Sequence, residues 1–174
     1  MNQSKNLIII DSNALLHRAF HALPPLTNKK GQPTGAVYGY LLTVFKAIKD
    51  LDTDYMVACF DTPKPTFRHE QFKDYKAQRP ETPQGIVVQI PITKEVLKSF
   101  EIPIFEKDGF EADDLIATIS KKVSPDTDVY ILTGDLDSLQ LVDGHIKVYT
   151  LGKGIKESVV YDEQKVVERF GVKP

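Results

Sequence analysis

Short, unbroken apolar runs alternate along this chain with longer stretches of helical period. The runs Leu7 to Ile10, Tyr55 to Phe60, Ile102 to Phe105, Val129 to Leu132 and Ile146 to Leu151 are mostly continuous rather than alternating. That suits strands covered on both faces, as in a parallel sheet between helix layers. Between them the spacing predicts helices over Asn13–Ala22, Ala36–Leu51, Ile86–Phe100, Ala112–Val123 and Leu136–Leu141. The order implies a three-layer α/β domain with a mostly parallel central sheet flanked by helices. "YTLGKGIKESVVY" reads as a hairpin turning at Gly152–Gly154, and its glycine-lysine pair lacks the upstream spacing of a phosphate loop. "DEQKVVERFGVKP" adds one more helix, stopped by Gly171 and Pro174. The longest stretch without clear order is 62–85.

Composition narrows the class. With 174 residues, 41% hydrophobic and 26% charged, the chain suits one soluble globular domain with a real core. No apolar run approaches the roughly 20 residues of a membrane span, and the N-terminus lacks a signal-peptide apolar region, which makes the cytoplasm the default address. The single cysteine, Cys59 in "YMVACF", reads as a small buried side chain rather than a nucleophile. A net charge of −2 argues against general nucleic-acid adhesion, so any such role must rest on local charge.

The local charge is conspicuous in two places. Asp11 and Asp61 directly follow the first and second strands, while Asp135 and Asp137 follow the fourth, after "ILTG". "FEADDLIATIS" adds Glu111, Asp113 and Asp114 at the start of a helix whose apolar residues anchor it to the core. In an open α/β sheet the carboxyl ends of the strands form the ligand-binding edge, so seven carboxylates gather there. Unit charges about 4 Å apart repel by roughly 4 kcal/mol at an effective dielectric near 20, so such a cluster calls for cations. All-oxygen donors without a histidine or cysteine partner favour Mg²⁺ or Mn²⁺. Two such ions are the usual apparatus for in-line phosphodiester cleavage. Each acid also has an ordinary reading. Asp11 and Asp135 could cap helices, Asp61 could open a turn, and the acids of "EADD" complement a helix dipole.

The second place is "KPTFRHEQFKDYKAQRPETPQG". Arg68, Phe72, Tyr75, Lys76 and Arg79 follow helical spacing and predict one basic and aromatic face beside Asp61, able to hold phosphates and stack a base. A solvated amphipathic helix would show the same pattern.

In this order and spacing, "NLIIIDSNALLHRAFHAL", "GAVYGYLLTVFK", "CFDTPKPTFRHEQFKDYKAQRPETP", "FEADDLIATI" and "TGDLDSLQLV" resemble the 5′ nuclease domain at the N-terminus of bacterial DNA polymerase I, in the flap endonuclease superfamily. The resemblance covers essentially the whole chain as one catalytic domain, 1–174, with a PIN-like or resolvase-like fold. It implies divalent-metal-dependent hydrolysis at 5′ ends and 5′ flaps of DNA in replication and repair. The implied metal ligands are Asp11, Asp61, Glu111, Asp113, Asp114, Asp135 and Asp137, holding two Mg²⁺ or Mn²⁺ ions in the complete enzyme. Lys76 and Arg79 would contact and polarise the scissile phosphate, and Arg68 and Tyr75 would steer the 5′ end. Residues 62–85 match the family's helical arch or clamp, and 162–174 match the start of a helix-hairpin-helix module expected to continue past Pro174. Without that module, weak DNA affinity and a loosely held second ion are expected. The implied partners are flapped, nicked or gapped DNA, including RNA-primer 5′ ends, bound by a monomer. The competing readings are a PIN-type metal-dependent ribonuclease and a non-catalytic metal-binding module.

Overall fold

A computed structural model describes residues 4–152 and 157–174. The apolar run at the N-terminus forms β1 (Lys5–Asp11), the second run β2 (Tyr55–Cys59), and the fourth and fifth runs β4 (Thr127–Leu132) and β5 (Ile146–Leu151). The third run pairs over only two residues, as β3 (Ile104–Phe105), and β6 (Ser158–Tyr161) returns against β5. The sheet order is β3-β2-β1-β4-β5-β6, with every pair parallel except β5 with β6. The hairpin expected after β5 is therefore present in its strands, while residues 153–156 of its turn lie outside the described residues.

Strand alternation sorts side chains onto two cores. Ile8 and Ile10 of β1 face a cluster containing Leu15, Leu16, Tyr40, Val44, Ile86 and Leu97. Those residues come from α1 (Ser12–Ala22), α2 (Gly35–Leu51), α4 (Gln84–Val87) and α5 (Gln89–Ser99). Leu7 and Ile9 face the opposite cluster with Ile116, Leu139 and Val166. These belong to α6 (Ala112–Lys122), a 3-10 helix at Leu136–Leu141 and α7 (Glu163–Phe170). Burying both faces explains why the strands read as continuous apolar runs. Cys59 is fully buried, as its setting predicts, and burial pushes its thiol up to about 12.

Three expectations are corrected. The helix predicted over Ile86–Phe100 is broken at Val88, because Pro91 has no N–H for the carbonyl four residues earlier and crowds that turn. Leu136–Leu141 winds as a 3-10 helix rather than an α-helix. The helix expected to present Arg68 through Arg79 ends early: α3 spans Phe67–Gln71, and beyond it the chain makes successive tight turns. At the α1/α2 crossing, Gly39 is required for approach, since a Cβ there would stand 2.8 Å from Ala19 Cβ and from Leu23 Cδ1.

Far from the acidic edge, one carboxylate ties three elements together. Asp50 at the end of α2 accepts from Lys46 Nζ (2.8 Å), Tyr149 Oη (2.7 Å) and Ser158 Oγ (2.9 Å). The Lys46 ammonium and the Tyr149 hydroxyl, against opposing burial, hold its carboxyl down at about 2. Asp50→Ala should cost about 2 kcal/mol, chiefly by stranding the Tyr149 hydroxyl, with only a small share from the screened ion pair. A carboxyl depressed in the folded state contributes stability above its unfolded pKa of about 4 and loses it as pH falls towards the folded value. The gap between wild type and variant in urea unfolding should therefore narrow below pH 4; a gap independent of pH would remove the ionised Asp50 from this role.

Candidate active site

The strand order reverses at β1, since β2 lies on one side and β4 on the other. The carboxyl ends of these two neighbours flank a crevice of the kind that binds ligands in open α/β sheets. Asp11 ends β1 on the same side as Leu7 and Ile9, so the pleat aims it towards α6. Its Oδ1 accepts from Ala14 N (3.1 Å), capping α1, and its Oδ2 accepts from Thr133 Oγ1 (2.6 Å), just past β4. Thr133 Oγ1 in turn accepts from Asp135 N (2.9 Å), and Asp135 Oδ1 accepts from Asp137 N (3.0 Å), capping the 3-10 helix. Beyond β2, Asp61 Oδ1 accepts from Ala112 N (2.7 Å), and its own N–H donates to Asn13 Oδ1 (3.2 Å). Capping and clustering are therefore two uses of the same carboxylates.

Five of the seven acids, Asp11, Asp61, Glu111, Asp113 and Asp135, line one open cleft of about 810 Å³. Asp114 and Asp137 line an adjoining cleft of about 210 Å³, and Asp113 borders both. The expectation of one seven-acid cluster becomes a main group of five with two neighbours. Among the described residues, no three of these side chains, nor any histidine or cysteine with them, stand close enough to hold an ion directly.

The electrostatics mark the main cleft as short of positive charge. Asp11 is only 4% exposed, and burial pushes its carboxyl up to about 6, helped by Asp113 and Asp61 and opposed by the Thr133 hydroxyl and the Ala14 N–H. Burial, then Asp61 and Asp135, also raise Asp113. These shifts express carboxylates that gain less from one another than they would from water or a cation.

Residues 68–79 supply the positive charge. Arg68 of α3 donates from both terminal nitrogens to Asp114 (2.8 Å each), and Asp114 Oδ2 also accepts from Glu111 N (2.9 Å). Arg68 holds the Asp114 carboxyl below its usual range. Lys76 Nζ lies 2.8 Å from Glu111 Oε1 and Tyr75 Oη 3.1 Å from Glu111 Oε2. Burial pulls the Lys76 ammonium down, but Glu111 outweighs it and leaves it raised. Lys76 has a left-handed backbone (φ 55°) and reaches Glu111 from the tight turns beyond α3. Arg79 lines the same cleft.

The family model described as 5′-3′ exonuclease, N-terminal resolvase-like domain, matches residues 6–171. The chain belongs to this family. This 5′-3′ exonuclease N-terminal domain is 42% identical over 171 residues to a 5′-3′ exonuclease of Aquifex aeolicus, covering 98% of this chain and 58% of that protein. It is 38% identical to DNA polymerase I of Bacillus subtilis, covering all of this chain and 20% of that protein. The domain thus spans little more than half of the first relative and a fifth of the second. Among solved structures, the T5 D15 protein co-crystallized with metal ions superposes with a TM-score of 0.76 at 22% identity, covering 97% of this chain and 62% of that one. Human GEN1 in complex with Holliday junction DNA gives a TM-score of 0.58 at 16% identity, covering 99% and 42%. These structural likenesses show the fold.

Several cleft residues of the exonuclease domain carry no sequence signal of their own. Asn13 positions Asp61 through one hydrogen bond and Thr133 positions Asp11 and Asp135 through two, and neither type stands out in a strand end or a helix start. His17 lines the cleft from α1, and burial, with His21 next, lowers its imidazole against the pull of Asp61. Its place six residues after Asp11 was the available clue.

Proposed function

We propose that this domain hydrolyses phosphodiester bonds at 5′ ends and 5′ flaps of DNA, using divalent metal ions, in replication and repair. The observation that carries the reading is the pairing of five carboxylates in one cleft with Lys76 and Arg79 on its rim. Cutting a polyanion needs both: negative groups to hold cations and positive groups to hold phosphate.

The residues fit hard divalent ions. The donors are all oxygen, and the raised Asp11 and Asp113 carboxyls record an unmet demand for positive charge. Mg²⁺ keeps several of its waters and is bound through one or two carboxylates, which suits acids that share a cleft without touching. Asp11, Asp61, Glu111, Asp113 and Asp135 would hold one Mg²⁺ or Mn²⁺, and Asp114 and Asp137, beside Asp113, would serve a second. Such ions supply charge neutralisation at the scissile phosphate and acidify water. The chain's own groups do the rest. The Lys76 ammonium and the Arg79 guanidinium donate to non-bridging phosphate oxygens as negative charge builds there. Arg68 is fixed by its two-pronged contact with Asp114, and with Tyr75 it guides the 5′ end into the cleft. Glu111 pairs with Lys76, so phosphate must compete for it.

No helix among the described residues is long and apolar enough to cross a membrane. The domain acts as a cytoplasmic monomer on flapped, nicked or gapped DNA, RNA-primer 5′ ends included. A labelled 5′-flap duplex, incubated with the domain and Mg²⁺ or Mn²⁺, should be cut at the flap base and left intact in EDTA. Cleavage of a single-stranded RNA control in place of the flap would overturn the reading in favour of a ribonuclease, and no cleavage of either would favour a binding module.

A further inference from the structure

We infer that Gln89 is a positioning residue that pins the downstream foot of the arch, and so sets where Lys76 and Arg79 stand over the acidic cleft. Its kinetic consequence rests on the nuclease reading above; its structural consequence does not.

Gln89 opens α5 immediately after the arch and α4, and only 1% of it is exposed. A buried primary amide must have its hydrogen bonds made. Gln89 makes them to three different residues. Its Oε1 accepts from Ala36 N (2.8 Å) and Val37 N (3.2 Å), the otherwise unfilled donors in the first turn of α2. The α2 N-cap residue, Thr34, offers no side-chain bond there, so a glutamine from a distant helix performs the capping. Its Nε2 donates to Gly85 O (2.6 Å), one turn upstream, where the arch ends.

Gly85 carries the link onward. A Cβ at Gly85 would meet Phe20 Cε2 at 2.8 Å, so the foot's backbone lies flat against α1. That helix begins at Asp11 and presents His17 to the cleft. One amide therefore joins the arch to α2 directly and, through Gly85, to α1, which borders the acidic cleft. The upstream foot is held separately, by Phe67 N to Gly109 O (3.0 Å) and by Thr66 with His69. Between the feet, residues 72–82 hold themselves by short turns and by the Tyr75 and Lys76 contacts with Glu111. A segment tethered this sparsely takes its position from its ends.

The two halves of the amide can be separated. Gln89→Glu keeps the acceptor for the α2 donors; burial raises such a carboxyl, as it does Asp11, so the variant is compared at about pH 9, where the ionised group cannot donate to Gly85. A purely structural cap would be satisfied by Glu; a positioning tie would not. We expect Gln89→Glu to unfold near the wild-type temperature. Trypsin, without DNA or metal, should then nick it at Lys73 or Lys76 about fivefold faster than wild type. Single-turnover cleavage of a 5′-flap duplex should slow about fivefold with KM changed less than twofold. Asp50→Ala, which loosens the far end of α2, should be nicked at the wild-type rate and serves as the control for general destabilisation. If Gln89→Glu does not fold, Gln89→Met, which has similar volume and removes the donor and the acceptor together, replaces it, and nicking at the wild-type rate overturns the inference. Wild-type nicking rates in the folded variant would overturn the inference, whether or not the domain proves to be a nuclease. Normal flap cleavage with accelerated nicking would overturn its kinetic half alone.

Discussion

Asp113→Asn should lower the rate of flap cleavage at saturating Mg²⁺ by at least about 1000-fold, while leaving the fold intact. Asp113 is the one acid that borders both clefts, so its loss weakens both halves of the ion-holding surface. Metal ions contribute several kcal/mol of transition-state charge stabilisation, and each 1.4 kcal/mol is a factor of ten. None of the described side-chain hydrogen bonds involves the Asp113 carboxylate, so the amide breaks nothing on the folded side. In metal-free buffer the variant should be more stable than wild type, because burial and the neighbouring Asp61 and Asp135 oppose ionisation at this position. Magnesium should reverse the order. A ligand that binds only the folded state stabilises by about 2.7 kcal/mol at a hundred times its Kd, and the variant should forfeit most of that gain. The check is thermal unfolding of both proteins in EDTA and in a Mg²⁺ series, alongside single-turnover cleavage. Near-wild-type cleavage by Asp113→Asn would take this residue out of the metal machinery. Asp135→Asn, whose amide oxygen still accepts from Asp137 N and caps the 3-10 helix, should be as inactive.

The sheet was legible because its strands are buried on both faces and so cannot alternate. Ile8, Ile9 and Ile10 are all fully buried, and three consecutive β-branched apolar residues admit few other readings. The acids were legible for a related reason: each directly follows an apolar run or opens a helix, and parallel pairing carries those positions to one edge. What the residues could not convey was the division of the cluster. Asp113 and Asp114 are adjacent in sequence but turn about 100° apart on a helix, and only the packing of α6 decides which cleft each one meets. Arg68 then pairs with Asp114. Residues 68–79 misled for the opposite reason. Helical spacing from Arg68 to Arg79 is real in the sequence, yet no core covers it, and propensity alone seldom holds so short a helix. Its last turns instead place Lys76 in the left-handed region, where the ammonium can reach Glu111. Gln89 was invisible because a glutamine at the start of a helix is ordinary, and its α2 partners lie more than fifty residues away.

Lys76→Ala should slow the chemical step about 100-fold or more while weakening flap binding only a few-fold. A donor aimed at developing charge in a site with little water is worth about 3–4 kcal/mol by mutagenesis, whereas one phosphate contact among many adds little to affinity. The resting position of Lys76 complicates a simple reading of that loss. Its left-handed backbone costs about 1 kcal/mol for any residue with a Cβ, and the ion pair with the 8%-exposed Glu111 offsets it. Alanine removes the ion pair and keeps the strain; glycine removes both. The two variants therefore test whether the lysine acts through its charge or through the turn it imposes on the arch. If charge is what matters, Lys76→Gly and Lys76→Ala should be equally slow in single turnover, although the glycine variant should be the more stable of the two. Recovery of the rate in Lys76→Gly would assign the effect to the backbone. An unchanged rate in both, with binding alone weakened, would make Lys76 a docking contact and leave Arg79 as the group facing the phosphate.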